Sequence, residues 1–270
     1  MRLRLAFLFL LLLLCGGTPA QSLLVSGSTT IGPLLGKIAE HYMQEHPGYR
    51  IEVSGGGSAA GIQALLNGRN DIAMSSRFID QVELQQANRR SVYPVPFHFA
   101  HDAIVPVVHP RNPLRSLSLE QIRQIYFGQI KDWQELGGAP GRISVICRDA
   151  NSGTQAVWNQ MGLAGHRATA CTREEASNLA VLQAVRNDHQ AIGYISLAYL
   201  SANARVRPLR VDGEMATPDC VRMGCYPLTR SLFLFTRGWP EKRLLHFINY
   251  ALHSPQARQV ILDAGLTPAH

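Results

Sequence analysis

The sequence predicts an α/β fold built on a largely parallel sheet with helices on both faces, and three observations point there. Short apolar or β-branched runs alternate with segments whose apolar residues recur at helical spacing. The 270 residues are 46% hydrophobic and 17% charged, which supplies a core and excludes a disordered chain. The turns that lead from β-runs into helical segments are repeatedly rich in glycine and hydroxyl side chains.

Ser22 to Ser26 (SLLVS) reads as the first strand, and Ile31, Leu34, Leu35, Ile38 and Tyr42 give the helix after it an apolar face. Pro33 fits that helix's first turn, where its missing N–H costs nothing. Arg50 to Ser54 is a second strand, followed by a helix marked by Ile62, Leu65 and Leu66. Asp71 to Met74 is a third strand. Ile104 to Val108 is a continuous β-type run, stopped by His109-Pro110. Ser118 with Gln121 has capping-box spacing and opens a further helix. Ile143 to Cys147 is a strand, Ala156 to Met161 a helix, and Ala191 to Ile195 a strand again. Mean hydropathy is -0.03 with a single continuously apolar stretch, which excludes a polytopic membrane protein.

That stretch is at the amino terminus. Met1-Arg2-Leu3-Arg4 is basic, Leu5 to Leu14 is an apolar run of ten, and Thr18-Pro19-Ala20 presents small residues before Gln21. Residues 1–20 are therefore expected to be a signal peptide and the mature protein to be periplasmic. Cys15 raises lipidation as the weaker alternative, because Leu14 stands where a lipoprotein box wants a small residue. Removing residues 1–20 takes away Arg2 and Arg4 and no acid, so the formal charge falls from +7 to +5. Only Lys37, Lys131 and Lys242 of the 26 basic residues are lysine.

Four cysteines remain after cleavage: Cys147, Cys171, Cys220 and Cys225. An even set in an exported chain permits disulfides, and four cysteines allow three pairings. Cys220 and Cys225 could close a small loop, leaving Cys147 for Cys171. No paired C-x-x-C spacing supports zinc.

Three strand-to-helix turns carry the chemistry: Gly27-Ser28-Thr29-Thr30, Gly55 to Gly61 (GGGSAAG), and Arg148 to Thr154 (RDANSGT). At a helix start the backbone N–H groups are unpaired and the dipole is positive, so hydroxyls and glycines there suit an oxyanion. One such turn would be an ordinary cap. Three, one of them holding an arginine, point to an anion held by N–H, O–H and guanidinium donors.

These turns, together with Asp71 to Arg77 (DIAMSSR), resemble the PstS-type phosphate-binding proteins of bacterial importers. Leu117 to Trp133, Ala191 to Leu200 and Ser254 to Pro268 are similar to family segments, so the resemblance runs along the mature chain. It implies a two-lobed periplasmic binding protein fold of type II with the ligand in the interlobe cleft. Lobe one would be residues 21–102 plus 226–270 and lobe two 103–225. It further implies inorganic phosphate as ligand, permease subunits of an ABC importer as partner, no cofactor, and action as a monomer.

Carried over residue by residue, Thr29 would give a hydroxyl and Thr30 a backbone N–H, with Ser28 beside them. Ser58 would give hydroxyl and N–H, Arg148 the guanidinium, and Ser152, Gly153 and Thr154 would close from the other lobe. Better-known members have an aspartate where this chain has Ser76, next to Arg77; that acid accepts the proton of bound phosphate. A serine at that place does not repel sulfate, so sulfate is expected to compete. The alternatives are a binding protein for sulfate or molybdate, or a secreted adhesion or signalling protein that kept the fold.

Other patterns point elsewhere. His98, His101 and His109 could suggest a metal, but an extended segment puts His98 and His101 on opposite faces, a structural role. Gly56 to Ala60 lacks the last glycine of G-x-S-x-G, and no acid–His–Ser order stands out, so an enzyme is not expected. Arg205, Arg207 and Arg210 read as a solvated strand face, with no nucleic-acid partner. Asp71 and Asp149 read as a strand start and a turn residue.

Overall fold

The computed structural model describes residues 22–200 and 205–270. The signal-peptide reading, with Cys15 and the site before Gln21, lies outside the described residues.

The chain opens with β1 (Ser22–Gly27), α1 (Gly32–Glu45), β2 (Arg50–Gly56), α2 (Ser58–Leu66), β3 (Ile72–Ser75) and α3 (Gln81–Arg89). A long β4 (Val95–Val108) follows, then β5 (Ser116–Leu117), α4 (Leu119–Tyr126), β6 (Ser144–Arg148), α5 (Gly153–Val157) and β7 (Cys171–Glu175). Next are α6 (Asn178–Asn187), β8 (Ala191–Ser196), β9 (Arg207–Pro208), β10 (Arg210–Val211) and α7 (Pro218–Met223). The chain closes with β11 (Thr229–Thr236), α8 (Lys242–His253), α9 (Pro255–Asp263) and β12 (Thr267–Pro268).

The main sheet runs β2-β1-β3-β11-β4-β8-β6-β7, with β9 and β12 also on β4. Its outer parts are parallel: β1 with β2 and β3, and β6 with β7 and β8. Its centre is not, because β11 is antiparallel to β3 and β4, and β4 to β8. The largely parallel expectation therefore holds for the flanks only. The fold is a two-lobed α/β arrangement, and β4 serves both parts. It pairs β11 up to Ala103 and β8 from Ile104 onward.

Local chemistry accounts for the elements. The helical face of α1 buries Leu34, Leu35, Ile38 and Tyr42 as read from the sequence, each such side chain worth roughly 1.5–3 kcal/mol. Ser118 and Gln121 form the expected capping box of α4, with Gln121 N–H on Ser118 Oγ at 3.1 Å. The helix expected over 156–161 starts earlier, at Gly153, because Ser152 caps it through Gln155 N–H; a π-helical turn follows over Trp158–Gly162.

One expectation on β4 is corrected. Ala100 pairs with Leu232 and His98 with Phe233, which leaves Phe99 as an extra residue in a β-bulge. The bulge resets the alternation of faces. His98 and His101 thus come together, with ring centroids 4.4 Å apart, and do not lie on opposite faces.

Cys147 is bonded to Cys171 across β6 and β7, with Cα atoms 5.8 Å apart, and Cys220 to Cys225 at the end of α7, with Cα atoms 5.1 Å apart. Among the described residues no helix is long and apolar enough to cross a membrane.

Candidate anion-binding site

β1 and β3 are parallel to each other and β6 runs the opposite way in the same sheet, so the turns at their carboxyl ends face one another, as strand ends do where α/β proteins bind ligands. The turn after β1 contributes Thr29 and Thr30, but not in the expected way. Ser28 Oγ accepts from Thr30 N–H at 3.1 Å, so Ser28 shapes the turn and Thr30 has no free amide to offer. Thr30 instead presents its hydroxyl, buried among Asn178 and Arg230.

The turn after β2 contributes Ser58, fully buried at the start of α2. Its Oγ accepts from Ser76 N–H at 3.0 Å and shares a hydrogen with Ser76 Oγ at 3.2 Å. Gly57, with φ +94°, precedes it and abuts Asn151, whose carbonyl accepts from Ala59 N–H at 3.1 Å. No side chain fits there, either in backbone conformation or in space.

The turn after β6 brings Ser152, Gly153 and Thr154 against that pair. A Cβ on Gly153 would fall on Ser58 Oγ and lie 2.7 Å from Ser76 Oγ. Glycine is what allows the first turn of α5 to approach this closely.

Arg148 ends β6 with only 1% of its surface exposed. Its Nε donates to Glu175 O at 2.9 Å, and Nη2 donates to Ala176 O at 3.0 Å and reaches Thr29 Oγ1 at 3.4 Å. Buried Nη1 has no hydrogen-bond partner, and Arg148 forms no ion pair among the described residues. Burial pulls its pKa below the usual arginine value; Tyr194 and Asp149 oppose the fall and the charge of Arg230 adds to it. A guanidinium stays ionised at neutral pH regardless. A buried cation facing only neutral oxygens is costly, and an anion at Nη1 would relieve it.

Arg77 is not brought into this cluster. Its guanidinium makes two bonds of 2.7 Å to Glu83, whose carboxylate also closes the capping box of α3 with Asp80. That pair neutralises it. Asp71 accepts from Leu24 N–H at 2.7 Å at the start of β3, and Asp149 accepts from Asn151 N–H at 2.8 Å within its turn, as the sequence suggested.

Sequence reasoning missed Asp102, Asn178 and Arg230. Asp102, fully buried in β4, accepts from Arg230 Nε at 2.8 Å and Nη2 at 2.7 Å. Its other oxygen accepts from Ser196 Oγ at 2.9 Å and Leu197 N–H at 3.1 Å. The available signal was a charge in the middle of an apolar strand: Asp102 between Phe99 and Val108, and Arg230 beside Leu232 to Phe235.

Two other features carry no such chemistry. Glu214 lies near the sulfurs of Cys220 and Cys225, but these are bonded to each other and offer no thiolate to a metal. A cleft of about 890 Å³ lined by Asn70, Asp71, Trp239 and Lys242 opens where β3 begins and β11 ends, and shares no residue with the cluster.

The PBP superfamily domain matches residues 16–255. The phosphate-binding protein PstS of Bacillus subtilis is 29% identical over 247 residues, covering 92% of this chain and 80% of that protein. PstS of Borreliella burgdorferi is 27% identical, covering 89% and 88%. A Clostridium perfringens protein solved with bound phosphate superposes with TM-score 0.85 at 29% identity, covering 92% of this chain and all of that one. An ABC-type phosphate transport receptor from Vibrio cholerae gives TM-score 0.72 at 28% identity, covering 91% and 99%.

Proposed function

Because the chain belongs to the PBP superfamily, we propose that it binds inorganic phosphate between its lobes and delivers it to the membrane permease subunits of an ABC importer. The observation that carries this reading is Arg148: buried, without a counter-ion among the described residues, with Nη2 reaching the Thr29 hydroxyl and Nη1 unpartnered. The PstS names of the relatives and the phosphate in the Clostridium perfringens structure support the same reading.

In this reading Arg148, Thr29, Ser58, Ser76, Ser152, Gly153 and Thr154 surround the anion. Thr30 adds its hydroxyl, Ser28 holds the turn, and Arg77 takes no part. The lobes divide at 21–102 plus 226–270 against 103–225, a division supported by the change of β4 partner between Ala103 and Ile104. Hinge closure over the anion would report occupancy to the permease. The protein works in the periplasm as a monomer and performs no catalysis.

The oxygens around the cluster bear on selectivity. Both carboxylate oxygens of Asp102 already accept two bonds each, and Asp71 and Asp149 are engaged in their own turns. The proton that phosphate keeps at neutral pH needs an acceptor, and the carboxylate buried in the cluster, Asp102, has no oxygen to spare. The Ser58–Ser76 hydroxyl pair can accept it, and neither hydroxyl repels sulfate. Isothermal titration of the mature protein is expected to show one phosphate per chain, displaced by sulfate in large excess. No binding of either anion would overturn the reading, and tighter binding of sulfate would transfer it to another oxyanion.

A further inference from the structure

Arg230 is a second buried guanidinium at the same place, and none of its contacts needs a ligand to explain it. Its Nη1 donates to Thr154 Oγ1 at 3.0 Å, and its Nη2 to Thr30 Oγ1 at 3.3 Å while also holding Asp102. Thr30 Oγ1 takes a second donor, Asn178 Nδ2, at 3.0 Å. The Asn178 amide is fixed in that sense because its Oδ1 accepts from Ser196 N–H at 3.0 Å.

A hydroxyl has two acceptor lone pairs and one hydrogen. With both lone pairs of Thr30 occupied, its hydrogen is free only to donate outward. Thr154 has one lone pair taken by a cation, which polarises its O–H in the same sense. Neither hydroxyl donates to a protein acceptor among the described residues. Thr30 follows β1 and Thr154 opens α5, so one guanidinium sets donors on opposite sides of the cleft. Its own orientation is imposed from both sides too: Asp102 is gripped by Ser196 Oγ and Leu197 N–H.

We propose that Arg230, held by Asp102, is a positioning residue of the anion site that fixes Thr30 and Thr154 as hydrogen-bond donors and so couples the two lobes to the bound anion. This rests on the phosphate-binding reading above. Of the cationic pair Arg148 and Arg230, the first meets the ligand and the second acts through hydroxyls.

The test is a double-mutant cycle read by phosphate titration. Arg230→Lys keeps the charge beside Asp102 but replaces a planar fork with a point donor that cannot span both threonines. It is expected to weaken phosphate binding about tenfold or more, with the ligand-free melting temperature little changed. In a Thr154→Val background the same substitution should cost at least about threefold less, since part of its route is already gone. An equal cost in both backgrounds, or parent-like affinity of Arg230→Lys, would overturn the proposal while leaving phosphate binding intact. If Arg230→Lys does not fold, Thr154 alone decides: Thr154→Ser should bind within about threefold of the parent and Thr154→Val about tenfold worse. Parent-like binding by Thr154→Val would overturn it. A parent protein that binds no phosphate overturns the underlying reading, and this inference with it.

Discussion

The passages from β3 to α3 and from β6 to α5 each carry an arginine, Arg77 just after its strand and Arg148 at its strand's end, yet the two reach opposite electrostatic states. Arg77 closes on Glu83 in a doubly bonded ion pair, whereas Arg148 ends among carbonyl and hydroxyl oxygens with one nitrogen unpartnered. The difference lies in the next helix. The first turn of α3 carries Glu83, and the first turn of α5 carries no acid. An arginine in a strand-to-helix turn is therefore not a site by itself. On the proposed reading it becomes one when the helix that follows leaves its charge unanswered.

The largest test of that contrast is to remove both arginines in turn. Arg148→Ala should weaken phosphate binding at least about tenfold, the worth of a charge-assisted bidentate contact. Arg77→Ala should leave affinity within about threefold but lower unfolding free energy by about 2–4 kcal/mol, because Glu83 is left buried and unpaired. Titration and urea unfolding on the two variants check this, and parent-like phosphate binding by Arg148→Ala would place the site elsewhere. A smaller effect sharpens the same contrast. Gly153→Ala drives a methyl into Ser58 Oγ, so closure is impeded and affinity should fall about tenfold while the ligand-free protein still melts cooperatively.

The smallest effect concerns a third way of handling a base, here half-buried, which is to disfavour the charge. Burial lowers the pKa of His98, with the charges of His101 and His270 adding to the fall, and burial lowers that of His101. Folded values below the unfolded value of about 6.5 mean that the unfolded chain binds protons first as pH falls. Stability from this pair is full above about pH 6.5 and declines below it. The urea midpoint should drop between pH 7.5 and 5.5, and His98→Gln should flatten that drop. A midpoint with the same pH dependence in both proteins would show that the pair does not contribute.

Much of the fold was legible because it rests on short-range signals. The apolar spacing of α1, the capping box of α4 and the continuous run in β4 are local patterns. The three hydroxyl-rich turns were found for the same reason. What escaped was set by distant pairing. The Phe99 bulge depends on how β11 lines up against β4, so the apposition of His98 and His101 could not be read from their spacing. The fate of Arg77 depends on a helix-capping carboxylate six residues on. Asp102 and Arg230 are 128 residues apart and meet only because their strands are neighbours. The antiparallel centre of the sheet was hidden likewise, since β11 comes from near the end of the chain.

That late arrival has a consequence for biogenesis. β11 lies between β3 and β4, with Ser75 opposite Phe233, 158 positions later. Until Thr229–Thr236 has been synthesised, β3 and the first half of β4 each present an open edge with no neighbour. Such edges invite pairing with other chains. A nascent or truncated chain that stops before Thr229 would therefore carry two aggregation-prone borders. The complete chain gains by staying unfolded until nearly all of it is available. Folding should be slow relative to a helical protein of this size, because the central pairing must wait for the most distant partner.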